Sequence, residues 1–179
     1  MKQVEIENGQ VFLNGNSYFE DQSNDFNRFA KAFFKFLAVD YPKFYKMDQQ
    51  SKLAFLAAEL LLKEENTLNE NQEIALLFSN KNSSLEADFK HHLSIQGKEE
   101  IYPSPAVFVY TLANICLGEV SIRHQLKTES AFFITEDFEE IELTEYANYL
   151  IKTNRCKKAV IAWVDYLQDN YKTKMILIE

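Results

Sequence analysis

Glycine, proline and cysteine are scarce in this chain of 179 residues, which contains four, three and two of them respectively. No GxGxxG or GxxxxGK segment is present, so a glycine-rich loop that cradles phosphates is excluded. Cys116 and Cys156 have no paired spacing and indicate reduced thiols in a cytoplasmic protein. No apolar run reaches about 18 residues, and Met1–Gln10 lacks an apolar segment, so neither a membrane span nor a secretory signal is expected.

Positive charge is also in short supply, because 19 basic residues stand against 27 acidic ones and the net charge is −8. Nucleic-acid binding needs a basic face, so nucleic acid is not expected as a partner. Apolar residues make up 46% of the chain and charged residues 26%, which is typical of a globular protein rather than a disordered one. The length predicts one domain over residues 1–179.

Apolar runs that predict β-strands occur at both ends and in the middle of the chain. Asn8-Gly9 separates the alternating runs Val4–Ile6 and Val11–Leu13, which predicts a β-hairpin. Continuous apolar runs of the kind found in buried strands follow later. The strands predicted from these runs are Ile74–Phe78, Ala131–Thr135, Ala159–Val164 and Met175–Ile178.

Helical spacing of apolar residues appears between these runs. An aromatic stripe from Phe26 to Phe36 predicts a helix over residues 23–39, with Asn24 or Asp25 as its N-cap. The other predicted helices are Met47–Lys63 with Asp48 in its first turn, Leu85–Leu93 with Ser84 as N-cap, one long helix from Pro105 to about Arg123, and Phe138–Thr153. Strands that alternate with helices predict a layered α/β domain.

Three groups of polar residues are candidates for chemistry or binding. The histidines His91, His92 and His124 lack metal-site spacing, since neighbours on a helix point about 100° apart. An acidic cluster over residues 136–142 suits a helix start, where carboxylates stabilise the helix dipole. The alternative is a small enzyme or a metal- or ligand-binding protein that uses this cluster. The third group is a basic and aromatic patch formed by Lys35, Lys43 and Lys46 beside Tyr41, Phe44 and Tyr45, which fits a solvated helix end or an acidic partner.

The segment Ser104–Leu126 resembles the helix that precedes the nucleophile in β-ketoacyl synthases. That family has Ser-Pro, then an asparagine ten residues on and a glycine four later, as Ser104-Pro105, Asn114 and Gly118 do here. Further segments resemble the family in the same order, namely Met47–Ala54, Ile74–Phe78 with Asn82–Phe89, and Asn154–Val160. The resemblance covers about residues 42–179 and implies half of a thiolase-like fold, a three-layer α/β/α domain with a mixed five-stranded sheet.

The resemblance also implies that the catalytic groups of the family are missing. Counted forward from Asn114 and backward from Asn154, the nucleophilic cysteine falls at Asp137, which cannot form an acyl thioester. Cys116 and Cys156 lie on other elements. The two catalytic histidines of the family belong to a second half, which would follow Glu179. The resemblance therefore implies no catalytic residue, no cofactor and no resident metal.

A non-catalytic relative of ketosynthases would act by association. Chain-length-factor subunits keep the fold, lose the cysteine and work with a complete ketosynthase or acyl carrier protein in fatty-acid, polyketide or aryl-polyene-type pathways. In the family, the strand before the nucleophile pairs antiparallel with its copy across the dimer twofold. The resemblance thus implies a homodimer, or a heterodimer with a ketosynthase, through Phe108, Leu112, Phe132, Phe133 and Ile134. The alternative for the many aromatic residues is a large core.

Overall fold

One mixed sheet runs through the residues that this computed structural model describes, which are 2–23, 25–65, 67, 73–96 and 104–179. Its seven strands lie in the order β3-β2-β1-β7-β6-β4-β5, and only the β4–β5 and β4–β6 pairs are parallel. The strands are β1 Lys2–Glu7, β2 Gln10–Leu13, β3 Asn16–Glu20, β4 Ile74–Asn80, β5 Ser130–Ile134, β6 Lys158–Leu167 and β7 Asn170–Ile178. The sheet is mixed, as expected, but it has seven strands rather than five.

Two Asn-Gly turns join β1, β2 and β3 into an antiparallel meander. Asn8 and Gly9 have φ angles of 50° and 77°, and Asn14 and Gly15 have φ angles of 51° and 78°. Positive φ at both central residues is the conformation that tight hairpin turns require. The predicted hairpin is confirmed. The strand β3 was not predicted, because Asn16–Glu20 lacks a clear alternation of apolar and polar residues.

Helices account for most of the remaining described residues. They are α1 Phe26–Phe36, a 3₁₀ helix at Pro42–Lys46, α2 Gln49–Leu61, α3 Leu85–Ile95, α4 Pro105–Phe108, a 3₁₀ turn at Val109–Thr111, α5 Ile115–His124 and α6 Glu140–Lys152. Asp25 caps α1, since its Oδ1 accepts the N–H of Asn27 at 2.7 Å. Asp48 is the N-cap of α2 rather than a residue of its first turn. The alternative cap Asn24 lies outside the described residues.

The single long helix predicted from Pro105 to about Arg123 is wrong. The two parts, Pro105–Thr111 and Ile115–His124, meet at 103°, and Leu112 between them has extended backbone with ψ of 119°. The Ser84 hydroxyl donates to the Thr111 carbonyl at 2.8 Å. In a continuous helix, that carbonyl would accept a backbone N–H of the same helix. Ser84 is thus the N-cap residue of α3 by position, but its hydroxyl caps no backbone N–H. No described helix alone is long and apolar enough to cross a membrane. The two parts of this bent pair reach that length and apolar composition only when they are counted together.

Helices cover both faces of the sheet, which confirms the expected three layers. On one face, α1, α2 and α5 enclose a core built around Phe29, Leu56 and Phe78. On the other face, α6 packs Leu143, Ala147 and Leu150 onto β4, β6 and β7. Every residue of β4 is buried, as predicted for a strand covered on both faces.

The strand β5 is the last strand of the sheet rather than a buried one, which corrects the prediction for Ala131–Thr135. Phe132 packs against the α2 side, but Phe133 is 36% exposed and Ile134 is 54% exposed. An apolar run alone cannot distinguish a central strand from an apolar edge strand.

The outer face of α6 carries both apolar and acidic side chains, because the exposed Ile141 and Tyr149 lie among Glu142 and Glu145.

Candidate functional site

Asp137 lies in the loop between β5 and α6, three residues before the helix begins at Glu140. Its side chain is exposed, and the Thr135 hydroxyl donates to its carbonyl oxygen at 2.8 Å. This loop follows the carboxyl end of β5, next to the carboxyl ends of β4 and β6. Open α/β sheets bind ligands at that edge of parallel strands. The position that the resemblance assigned to a nucleophile therefore lies at the edge of the sheet where open α/β sheets bind ligands.

The loop that follows β4 is fixed by its own hydrogen bonds. The Asn80 amide donates to the Ser83 carbonyl at 2.9 Å and accepts the Ser83 N–H at 3.0 Å. Ser83 has a φ of 51°, which this pair of bonds holds. The Thr135 N–H donates to the Asn80 carbonyl at 2.9 Å and so joins the β5 loop to the β4 loop.

Asp165 of β6 completes the connection between the three strand ends. Its Oδ1 accepts the Asn82 N–H at 3.0 Å and the Lys81 N–H at 3.2 Å, while its Oδ2 accepts the Asn82 amide at 2.6 Å. Nothing in the sequence marked Asp165, which is one polar residue in a long apolar strand. Its role is structural, because its oxygens are occupied by the neighbouring loop.

The acidic cluster does not converge on one point. Glu136 pairs with Lys81, and Glu140 pairs with Lys174 at 2.7 Å. Asp137 and Glu139 are exposed to solvent. Within residues 2–23, 25–65, 67, 73–96 and 104–179, no three histidine, cysteine or acidic side chains lie close enough to hold a metal ion. The geometry gives the metal-dependent alternative no support.

The histidines lie on α3 and α5 and not in the loop that carries Asp137. The rings of His91 and Phe108 are 5.6 Å apart, and His92 is exposed. His124 is buried at the end of α5, with Nδ1 2.7 Å from the Thr67 hydroxyl and Nε2 3.4 Å from Glu59 Oε1. Burial, together with the nearby Arg123 charge, lowers the pKa of His124 to about 4.

Both cysteines are buried thiols. Cys116 of α5 is 3.6 Å from the Gln50 amide nitrogen, and burial raises the pKa of its thiol to about 12. Burial also raises the pKa of Cys156. The nucleophilic form of cysteine is the thiolate, so neither side chain has the activation that acyl transfer requires.

The five residues expected at an interface fall into two groups. Phe132, Phe133 and Ile134 lie on β5, where the rings of Phe133 and Tyr146 of α6 are 6.4 Å apart. Phe108 is the last residue of α4, which packs against α3, and Leu112 follows the 3₁₀ turn Val109–Thr111; they are 55% and 53% exposed. Beside β5 there is a cleft of about 180 Å³, lined by Ser79, Phe133, Thr135, Glu139, Leu143 and Tyr146 among others. The sequence did not predict this cleft, because residues from three elements form it.

Comparison with known proteins supports the fold. No protein-family model matches the chain, and a search of curated proteins gives no match. The structure of the ishigamide ketosynthase/chain length factor is similar over 99% of this chain and 60% of the matched chain, with a TM-score of 0.72 and 14% identity. A second similar structure is the Xenorhabdus doucetiae ketosynthase ApeO in complex with its chain length factor ApeC. The similarity covers 100% of this chain and 77% of the matched chain, with a TM-score of 0.64 and 13% identity.

A third structure, AntDE:AntF, is a type II polyketide acyl-carrier protein in complex with its ketosynthase bound to the hexaketide. The similarity covers 99% of this chain and 61% of the matched chain, with a TM-score of 0.64 and 14% identity. Identities this low establish the fold alone. The chain therefore has the thiolase-like fold of ketosynthases and chain length factors, which confirms the resemblance in its sequence.

Proposed function

We propose that this chain, whose fold is that of ketosynthases and chain length factors, is a non-catalytic subunit that pairs with a complete ketosynthase. Each of the three similar structures is an assembly that contains a ketosynthase, with a chain length factor in two of them. The pathway classes that fit such a subunit are fatty-acid, polyketide and aryl-polyene-type synthesis. The observation that carries the proposal is the open apolar edge of β5.

The free edge of β5 has the properties of an edge strand that pairs with a strand of a partner. In the described part of the sheet, β5 pairs with β4 on one side and with no strand on the other. The sequence Ser130–Ile134 contains neither the charges nor the proline that usually protect a free edge. An unprotected apolar edge is prone to aggregation unless a second strand pairs with it. Strand addition from a partner would satisfy the free backbone groups and extend the sheet.

The cleft beside β5 adds a place for a partner side chain. Phe133, Leu143 and Tyr146 are its large apolar lining residues, and Glu139 and Glu142 line it as well. Burial of an apolar side chain in such a cleft contributes about 1.5–3 kcal/mol. Two or three such contacts, added to the strand pairing, would be enough to hold a specific complex.

The non-catalytic part of the proposal is supported by the residues at the β5–α6 loop. An exposed carboxylate, Asp137, stands where the resemblance places the nucleophilic thiol. A thioester intermediate needs a thiolate near the helix start, and the two cysteines of the chain are buried elsewhere, Cys116 on α5 and Cys156 in the connection between α6 and β6. The subunit would then contribute to shape and assembly rather than to bond making.

The test is light scattering on the chain mixed with a ketosynthase encoded in the same gene cluster. Wild type is expected to form a heterodimer. Phe133→Lys should abolish it, because a charged and hydrated side chain would replace the aromatic ring in the strand interface and would have to lose its water there. The matched control is Tyr45→Lys, which introduces the same charge at an aromatic residue that is 54% exposed on the 3₁₀ helix Pro42–Lys46. A wild type that stays monomeric alone and with the ketosynthase would show that the proposal is wrong.

A further inference from the structure

One row of side chains at the start of α6 faces the cleft beside β5. The row consists of Glu139, Glu142, Leu143 and Tyr146, which line the cleft together with Phe133 of β5. Residues three or four apart lie on the same side of a helix, which explains why these four share one face. The lining of the cleft is therefore acidic where α6 begins and apolar one turn further on.

The two glutamates of this row lack the ion pairs that the other glutamates of the acidic cluster make. Glu136 and Glu140 each pair with a lysine. In the part of the chain that the structure describes, no basic side chain lies within ion-pair distance of Glu139 or Glu142. The helix dipole favours acidic residues in a first turn, but it does not require that the unpaired ones line a cleft.

The hydroxyl groups that the sheet contributes to the cleft already donate within the fold. Ser79 donates to the Ala162 carbonyl at 3.3 Å, and Thr135 donates to the Asp137 carbonyl at 2.8 Å. Their oxygens, like the two carboxylates, remain as acceptors. A positively charged group with several N–H donors fits such a lining.

The volume and the aromatic residues of the cleft indicate a single side chain as its occupant. The cleft measures about 180 Å³, whereas sites for drug-sized ligands measure roughly 300–1,000 Å³. The rings of Phe133 and Tyr146 are 6.4 Å apart and offer aromatic surface. A guanidinium group stacks on aromatic rings and donates to two carboxylates at once, while an ammonium group is a strongly hydrated point charge. Arginine therefore fits the cleft better than lysine.

The free edge of β5 explains how such an arginine would reach the cleft. Phe133 lies on the α6 face of the sheet, and a strand paired with β5 would place every second side chain on that face. In strand addition, main-chain hydrogen bonds give affinity and pockets for alternate side chains give specificity. The strand Ser130–Ile134 contains no basic residue, so a second copy of β5 does not supply the arginine from its own strand.

We infer that the cleft receives an arginine side chain from the partner strand that pairs with β5. Phe133 and Tyr146 contact the guanidinium group, and Glu139 and Glu142 accept its hydrogen bonds. The inference rests on the proposed function, because it takes β5 as the pairing edge, and it adds the side chain by which the partner is selected. A strand with an acidic residue at this position would be repelled by both carboxylates.

The test uses the chain alone and two labelled peptides, acetyl-Thr-Val-Arg-Val-Thr-amide and the same peptide with citrulline in place of arginine. Citrulline keeps the shape of arginine and removes its charge. Fluorescence anisotropy measures binding to wild type and to a cleft variant with Glu139→Gln and Glu142→Gln. The matched control carries Glu20→Gln and Glu145→Gln, which neutralise two exposed glutamates that do not line the cleft. The melting temperatures of both variants show whether the fold is retained.

Wild type should bind the arginine peptide about tenfold more tightly than the citrulline peptide at about 50 mM salt, and this preference should shrink at about 300 mM. The cleft variant should bind the two peptides equally, and the control should keep the preference. Equal affinity of wild type for the two peptides, absence of binding, or a preference that the cleft variant keeps would overturn the inference.

This inference and the proposed function fail separately. An arginine preference without a heterodimer would contradict the proposed function alone. A heterodimer that wild type and the cleft variant form equally well with the ketosynthase would contradict the arginine inference alone.

Discussion

At the scale of single residues, position 137 determines which chemistry the β5–α6 loop could perform. A thiolate attacks a thioester and keeps the acyl group, whereas a carboxylate such as Asp137 is a much weaker nucleophile towards it. The loop around Asp137 is nevertheless ordered by the neighbouring strand ends through Thr135 and Asn80. The loop that carries Asp137 is thus tied to the ends of both β4 and β5.

We therefore expect no acyl adduct when the chain is incubated with acyl-CoA or acyl-carrier donors. Asp137→Cys should not restore condensation, because none of the three histidines lies in the β5–α6 loop: His91 and His92 are on α3, and His124 is on α5. Intact-mass measurement detects an adduct, and product analysis detects condensation. A stoichiometric adduct on the wild-type chain would contradict the non-catalytic role.

A second residue with a clear consequence is His124. It is buried beside Glu59, whose carboxylate also accepts two hydrogen bonds from Arg123, at 2.6 and 3.3 Å. Burial lowers the pKa of His124 to about 4, below its ordinary value in an unfolded chain. The neutral ring therefore contributes stability that is present at neutral pH and is lost as the pH falls towards 4.

Between pH 7 and pH 5, protonation of His124 in the unfolded chain should lower the free energy of unfolding by about 2 kcal/mol. His124→Asn removes the titrating ring, so this variant should lose less stability over the same interval. Urea unfolding at the two pH values measures the difference. An identical pH dependence in wild type and variant would show that His124 does not titrate in this way.

At the scale of elements, the two Asn-Gly turns provide a matched comparison. Gly9 and Gly15 have nearly the same positive φ, 77° and 78°. A Cβ atom on Gly9 would lie 2.3 Å from the Asp21 carbonyl oxygen, whereas a Cβ atom on Gly15 would meet nothing within 4 Å. The Gly9 carbonyl also accepts the Asp21 N–H at 2.9 Å, so the two backbones are held together.

We expect Gly15→Ala to destabilise the fold by about 1 kcal/mol through backbone strain alone. Gly9→Ala should cost roughly 1–3 kcal/mol more, because a backbone atom must move to admit the methyl group. Urea unfolding of both variants under the same conditions tests this. Equal losses would mean that the chain beyond β2 adjusts without strain.

At the scale of the whole molecule, the sheet ends on one side in the apolar edge strand β5. If a ketosynthase binds there, it stabilises the folded chain by mass action. We expect the melting temperature of the chain to rise by several degrees with excess ketosynthase and to stay constant with Phe133→Lys in place of the wild type. A rise that Phe133→Lys leaves intact would place the contact on another surface.

The sequence by itself determined the local elements and their class. Asn8-Gly9 specified the first turn, the aromatic spacing from Phe26 specified α1, and the apolar run Ile74–Phe78 specified a strand covered on both faces. These signals are local, since turn conformation, helical period and burial on two faces each depend on a few neighbouring residues. The spacing around Ser104 and Asn114 also pointed to the thiolase-like fold that the structure shows.

Only the tertiary structure decided how those elements meet. The helix after Pro105 bends by 103°, and at the bend Ser84, far away in the sequence, donates to the Thr111 carbonyl. Within the described residues the strand β5 pairs with β4 alone and so lies at the edge of the sheet, and an apolar run does not record which strands pair. The cleft beside Phe133 depends on side chains from several elements. Spatial proximity between distant residues arises from packing, so local sequence patterns do not encode it.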